Sequence, residues 1–234
     1  MMPPVMERLL PLIGFGAFLL LGVGFRVWLQ RHRYGSSGVQ LFTDRRPGQL
    51  VRDAGLVCAA LLLLAQAVVI AMDPARVERV FRCPPVLAAA VLGLGLVVMV
   101  AAQLQLGASW RIGIEPGART GLVTRGLYRW SRNPIFVGLF LVLAGTTLAA
   151  PTWLSLIVFV GTSLGVRLQV AAEEAHLRST YGHAFAEYAA RVGRFLPGLG
   201  KSSPPDTSEV QPRSGGGSGE SSGGGGTSSS RIST

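Results

Sequence analysis

Five stretches of about sixteen to two dozen residues, almost free of charge, decide what this chain can fold into: 9–29, 50–72, 84–106, 134–149 and 152–170. A bilayer's hydrocarbon core takes roughly 20 apolar residues per helix. Lipid offers no partner to backbone N–H and C=O groups, so a spanning segment is a helix or part of a closed barrel. Barrel strands alternate polar and apolar residues, and these windows do not. The chain therefore reads as all-α and polytopic, with about five transmembrane helices. Only 15% of its 234 residues are charged, against about 25% in a soluble domain.

The formal net charge of +10 would suggest nucleic acid in a soluble protein. Its distribution points to membrane sidedness instead. Residues 30–52, 107–134 and 167–201 hold fifteen Lys and Arg between them, against four in 1–8 and 73–83. The excess of cations on cytoplasmic loops places the N-terminus outside and the C-terminus in the cytoplasm, an arrangement that five spans satisfy in a plasma or inner membrane. No small-residue cleavage site follows the first window, which reads as an uncleaved anchor. Glycines recur in the first three windows (Gly14, Gly16, Gly22, Gly24, Gly55, Gly93, Gly95), where small residues let helix backbones approach.

Residues 1–200 read as one membrane domain. From about Lys201 the chain becomes Ser, Gly and Pro with almost no apolar residues, and 201–234 reads as a disordered tail. Cys58 and Cys83 sit at different depths and do not form a disulfide. No CxxC or HExxH pattern offers a zinc or iron ligand set. Gly93 and Gly95 lie within a span, without the third glycine or preceding strand of a dinucleotide turn.

Ionisable residues near span ends carry the most information, because burying them is costly unless they serve a site. One cluster runs from Gly126 through Tyr128, Arg129, Ser131, Arg132, Asn133 and Pro134 to Phe136 and Gly138; the other is Glu173-Glu174. Asn133 before Pro134 reads as a helix cap and first turn. The fourth and fifth windows, separated by Ala150-Pro151, form a helical hairpin that returns both clusters to one membrane face. At 1.5 Å per residue the fifth helix reaches roughly 30 Å by Glu173 and the fourth roughly 24 Å, so the glutamates lie level with the 128–132 loop. A wet pocket lined by Tyr, Arg, Asn and carboxylates follows. Consecutive glutamates point about 100° apart, so one can face the pocket and the other a structural partner. Beyond them Leu177, Tyr181, Phe185, Tyr188 and Val192 suggest a short interfacial helix interrupted at Gly182, its aromatic face at the headgroups.

At these clusters the sequence resembles the isoprenylcysteine carboxyl methyltransferase and phospholipid methyltransferase superfamily of membrane enzymes. The family pattern, approximately G-x-Y/F-R-x-x-R-H-P-x-Y-x-G, is met from Gly126 to Gly138. Glu173-Glu174, Leu177, Tyr181-Gly182, Tyr188, Arg194 and Pro197 meet its second half. Asn133 stands where the family usually has His, and Phe136 where it usually has Tyr. The resemblance covers roughly Leu104 to Pro197. It implies methyl transfer from S-adenosylmethionine, bound on the cytoplasmic side, to a lipophilic acceptor from the membrane. It implies cofactor contacts by Tyr128, Arg132, Asn133, Pro134, Phe136, Glu173 and Glu174, with no catalytic base assigned. Gln105 and Arg111, at the inner end of the third span, are candidates for the acceptor's polar head and also read as capping or snorkelling residues. Two other functions fit the same pattern: an NADPH-dependent membrane reductase of the sterol-reductase-like kind, and a non-catalytic lipid-binding protein.

Overall fold

A computed structural model describes residues 4–35, 39, 41–42, 47–107 and 121–202. The tail beyond Ser202 and Arg111 lie outside the described residues. The first window is one long helix in three parts: α1 (Pro4–Ala17), a π-helical stretch (Phe18–Gly24) and α2 (Phe25–Tyr34). Then follow α3 (Pro47–Met72), α4 (Pro85–Leu106), α5 (Pro134–Ala149) and α6 (Trp153–Arg191). The first helix, α3, α4 and α6 are long and apolar enough to cross a membrane, and α5 is a shorter apolar helix. Large side chains such as Leu20, Leu61, Val97 and Ile157 face outward, as expected where the surrounding solvent is lipid.

Helix starts follow local chemistry. Pro85 and Pro134 occupy first-turn positions where a missing N–H leaves nothing unpaired. The start of α6 carries a reciprocal cap: Thr152 Oγ1 accepts from the Ser155 N–H, and Ser155 Oγ accepts from the Thr152 N–H. Thr152 Oγ1 also donates to Gln66 Oε1 of α3 at 2.7 Å, which ties the α5–α6 turn to the neighbouring span. The Val80 N–H donates to the Pro151 carbonyl at 2.7 Å, so the α3–α4 connection and this turn share one end of the molecule.

The hairpin at Ala150-Pro151 forms, but α5 packs mainly on α4 rather than on α6. The seam is made by glycine. A Cβ on Gly95 would come within 2.6 Å of the Val142 nitrogen, one on Gly138 within 2.6 Å of the Met99 nitrogen, and one on Gly145 within 2.5 Å of the Leu92 nitrogen. Of the glycines expected to serve packing, Gly14 and Gly22 also meet α4 side chains, whereas Gly16, Gly55 and Gly93 face open space. An apolar cluster of Phe15, Leu63, Leu143 and Val158 joins α1, α3, α5 and α6.

The π-helical stretch has its own partner. Gln103, 4% exposed on α4, donates from Nε2 to the Gly22 carbonyl at 2.8 Å. Inside lipid a carbonyl released by irregular helix needs such a donor.

The helix that carries the fifth window extends beyond Val170. The helix continues through both glutamates, breaks at Gly182 (φ +50°) and resumes to Arg191. Its terminal aromatic face does not lie on headgroups: Phe185, Tyr188 and Ala189 are buried, with Leu122, Leu177 and Tyr181 packed against them. Protein contact wins because the segment after the glycine folds against the 121–133 loop.

Gly145→Leu should cost about 3 kcal/mol by forcing α4 and α5 apart, seen as a lowered melting temperature in detergent. Gly93→Leu, which enters open space, should leave it unchanged.

Candidate functional site

The two charged clusters meet. Arg132, just before α5, places Nε 3.0 Å from Glu174 Oε1 and Nη2 3.4 Å from Oε2. Its remaining donors go to the carbonyls of Ala189 (2.7 Å), Val192 (3.0 Å) and Gly200 (2.9 Å). All five guanidinium N–H groups therefore have acceptors, and the side chain is 2% exposed. Glu174 Oε2 also accepts from Arg194 Nε at 3.0 Å and Nη2 at 2.8 Å. Its Oε1 takes a further bond of 3.1 Å from Asn133 Nδ2. One carboxylate thus holds two guanidiniums and an amide.

Asn133 corrects an expectation. Its side chain makes no cap bond to α5; Nδ2 points to Glu174 and to the Arg194 carbonyl at 3.1 Å. Only its backbone carbonyl starts the helix, accepting from Phe136 and Val137. Two acceptors beside one terminal atom require that atom to be the amide nitrogen. Pro134 is buried at the helix start.

Around this pair the chain folds back on itself. Ser131 Oγ donates to the Arg194 carbonyl and the Arg132 N–H to the Gly193 carbonyl. Tyr188 Oη donates to the Tyr128 carbonyl at 2.6 Å, and Tyr128 Oη to the Ala102 carbonyl at 3.5 Å. Burial pushes the Tyr128 phenol above its ordinary range, and the Glu173 carboxylate adds to the shift. Tyr128 remains protonated at any physiological pH. Gln105 Oε1 accepts from the Leu127 N–H at 2.7 Å, which ties the end of α4 to this loop.

Beside the pair lies a cavity of about 800 Å³, within the range that encloses a small ligand. Tyr128, Asn133, Phe136 and Glu173 line its polar end, together with His176 and Tyr181. The rest of its wall comes mainly from α3 and α6 and is largely apolar, with Gln49, Arg52, Asp53 and Gln169 among its polar residues. Arg132 and Glu174 touch the cavity, but their polar atoms are engaged with each other and the loop. Glu173, half-buried and one position earlier on the helix, is turned toward it.

Sequence reasoning passed over Arg194 as a third charge and missed a polar group on α3. There Gln49 and Asp53, each 4% exposed, are bonded to one another and to neighbours. An acid in the first turns of an apolar window was the available signal. Among the described residues no group of three or more His, Cys, Asp or Glu is placed to hold a metal ion.

Comparison with known proteins agrees with this geometry. Residues 84–184 match the sequence profile of the phospholipid methyltransferase family, PEMT. Among solved structures the eukaryotic intramembrane Ras methyltransferase ICMT, isoprenylcysteine carboxyl methyltransferase, superposes with a TM-score of 0.54. It is 18% identical, and the match covers 86% of this chain and 70% of that one. No curated protein matches the chain. The protein shares the fold of that membrane methyltransferase. Over 84–184 its sequence is similar to the phospholipid methyltransferase family.

Arg132→Ala should cost about 3 kcal/mol or more, because a buried carboxylate loses its principal partner and three carbonyls lose their donor. Arg132→Lys should rescue little, since an ammonium cannot reproduce the planar fork. Arg194→Gln, at a side chain 43% exposed, should lower the melting temperature much less.

Proposed function

We propose that this protein transfers a methyl group from S-adenosylmethionine to a lipophilic acceptor at the cytoplasmic face of the membrane. One observation carries the reading. A single cavity joins a polar end, with a carboxylate and aromatic rings, to an apolar slot between two spans.

The residues at the polar end suit the cofactor. Bound S-adenosylmethionine would supply an activated methyl group on a positively charged sulfur. Glu173 offers a carboxylate to positive charge and to ribose or amino donors. Phe136 and Tyr128 offer ring faces for stacking and for a nearby cation. The neutral Tyr128 phenol brings no negative charge of its own. The apolar walls exclude water, which strengthens each electrostatic contact within. Positioning of two bound reactants in one enclosure supplies rate without a covalent step by a side chain.

In this reading Arg132, Asn133 and Glu174 build the wall rather than touch the ligand, while Tyr128, Phe136 and Glu173 make contact. The acceptor enters from the bilayer, and the cationic loops set the cytoplasmic side.

Calorimetry on the purified protein in detergent should show S-adenosylmethionine binding, and Glu173→Gln or Phe136→Ala should weaken it about tenfold, roughly 1.4 kcal/mol. Absence of binding heat, or preferential binding of NADPH, would overturn the assignment.

A further inference from the structure

The end of the molecule opposite the Arg132–Glu174 pair carries a separate, charged groove. Glu7 of α1 and Arg79, Val80, Phe81, Arg82 and Cys83 of the α3–α4 connection line it and enclose about 630 Å³. The sixteen residues of α5 put it about 24 Å from the pair. None of its residues lines the cavity described above.

The connection that carries both arginines is held in place. Asp73 accepts from the Ala75 N–H and from Arg76 Nε, both at 3.1 Å, which closes the turn after α3 and cancels two charges. Between the arginines, the Val80 N–H donates to the Pro151 carbonyl at 2.7 Å. Pro84 and Pro85 then fix the backbone into α4.

The charge of the groove is left open. Among the described residues the side chains of Arg79, Arg82 and Glu7 have neither an ion pair nor a hydrogen bond. Two guanidiniums and one carboxylate thus share a groove without neutralising one another. The planar forks fit a phosphate. The carboxylate only accepts, so it needs a donor from the same ligand. A hydroxyl meets that need without adding positive charge, and a monoanion with hydroxyl groups is the complement of two cations and one anion.

The surroundings select the molecule that bears it. Met72 ends α3, Val86 and Leu87 begin α4, and Val5 and Met6 precede Glu7, all of them exposed. Val80 and Phe81 expose apolar surface in the groove itself. A soluble anion gains nothing from this margin, whereas acyl chains cover it. Basic side chains at the ends of spans meet anionic lipid at the headgroups.

We infer that the groove is a docking site for an anionic phospholipid, its phosphodiester on Arg79 and Arg82, a headgroup hydroxyl on Glu7, and its chains along the apolar ends of α1, α3 and α4. The site is independent of the function proposed above.

Cys83 lines the groove, and the chain's other cysteine is Cys58. Full-length Cys58→Ser protein in dodecyl maltoside therefore reports occupancy through the rate of Cys83 labelling by N-ethylmaleimide, each variant being compared with its own lipid-free rate. Dioleoyl phosphatidylglycerol should slow labelling about fivefold or more, and phosphatidylethanolamine and phosphatidylcholine, which carry no net charge, less than about twofold. The deacylated headgroup, glycerophosphoglycerol, should give no protection. Arg79→Gln with Arg82→Gln, at exposed side chains, should leave the melting temperature unchanged and erase the protection. Phosphatidylmethanol, with the same charge and no hydroxyl, should protect less than phosphatidylglycerol, and Glu7→Leu should remove that difference. Equal slowing by the uncharged lipids, protection by the deacylated headgroup as strong as by the lipid, protection that survives in the double variant, or no slowing by any lipid overturns the site.

Discussion

A guanidinium and a carboxylate, both almost fully buried, hold one end of this molecule together. Arg132 and Glu174 are 42 residues apart in sequence and come from the start of α5 and the middle of α6. Removing either charge from water is costly, and attraction between them repays that cost only when every remaining donor and lone pair is matched. Here each is matched. The three carbonyls that complete Arg132 belong to Ala189, Val192 and Gly200, so the pair orders the last stretch of the domain as well as joining two helices. That stretch reaches the pair because Gly182, Gly198 and Gly200 adopt positive φ, where a side chain would be strained.

This polar knot has a mechanical counterpart within the membrane. Glycine brings α4 and α5 into backbone contact along Gly95, Gly138 and Gly145, and that rigid pair positions the Tyr128–Asn133 loop at its end. With α5 held against α4, α6 meets α3 in the apolar cluster that holds Leu63 and Val158, and both helices line the cavity. Stability and cavity thus have one origin: the helix that packs most closely is not the one its short turn would suggest. Gln103 donates to the carbonyl that irregular backbone frees at Gly22, and Gln66 accepts from the Thr152 hydroxyl at the start of α6.

Much of this was legible in the residues and some was not, for reasons that can be named. Hydropathy reports the cost of burying polar backbone and side chains in lipid, and each of its five windows falls on an apolar helix, the fourth coinciding with α5. It reports nothing about which helix touches which, so the α4–α5 seam had to come from glycine contacts that only a fold reveals. The window over α6 stops near Val170 because Glu173 and Glu174 lower hydropathy without interrupting a helix; Gly182 does interrupt it. The two glutamates were separable in principle by their 100° offset, but assigning Glu174 inward required the direction of Arg132. Gln49, Arg52 and Asp53 sat unremarked because their network is closed by Gln169, more than a hundred residues away.

The two departures from the family pattern acquire different meanings once the knot is seen. Asn133 belongs to it: Nδ2 meets both Glu174 and the Arg194 carbonyl, two acceptors that a terminal amide nitrogen with two hydrogens can serve together. A neutral imidazole brings one N–H and one acceptor nitrogen, so the substitution answers to the polar partners of the wall. Phe136 belongs to the cavity, where losing a hydroxyl removes one polar contact and keeps the ring face. The first change is therefore absorbed by structure and the second is felt by whatever occupies the space. In the proposed function, recognition at this site falls chiefly to Glu173 and to aromatic faces.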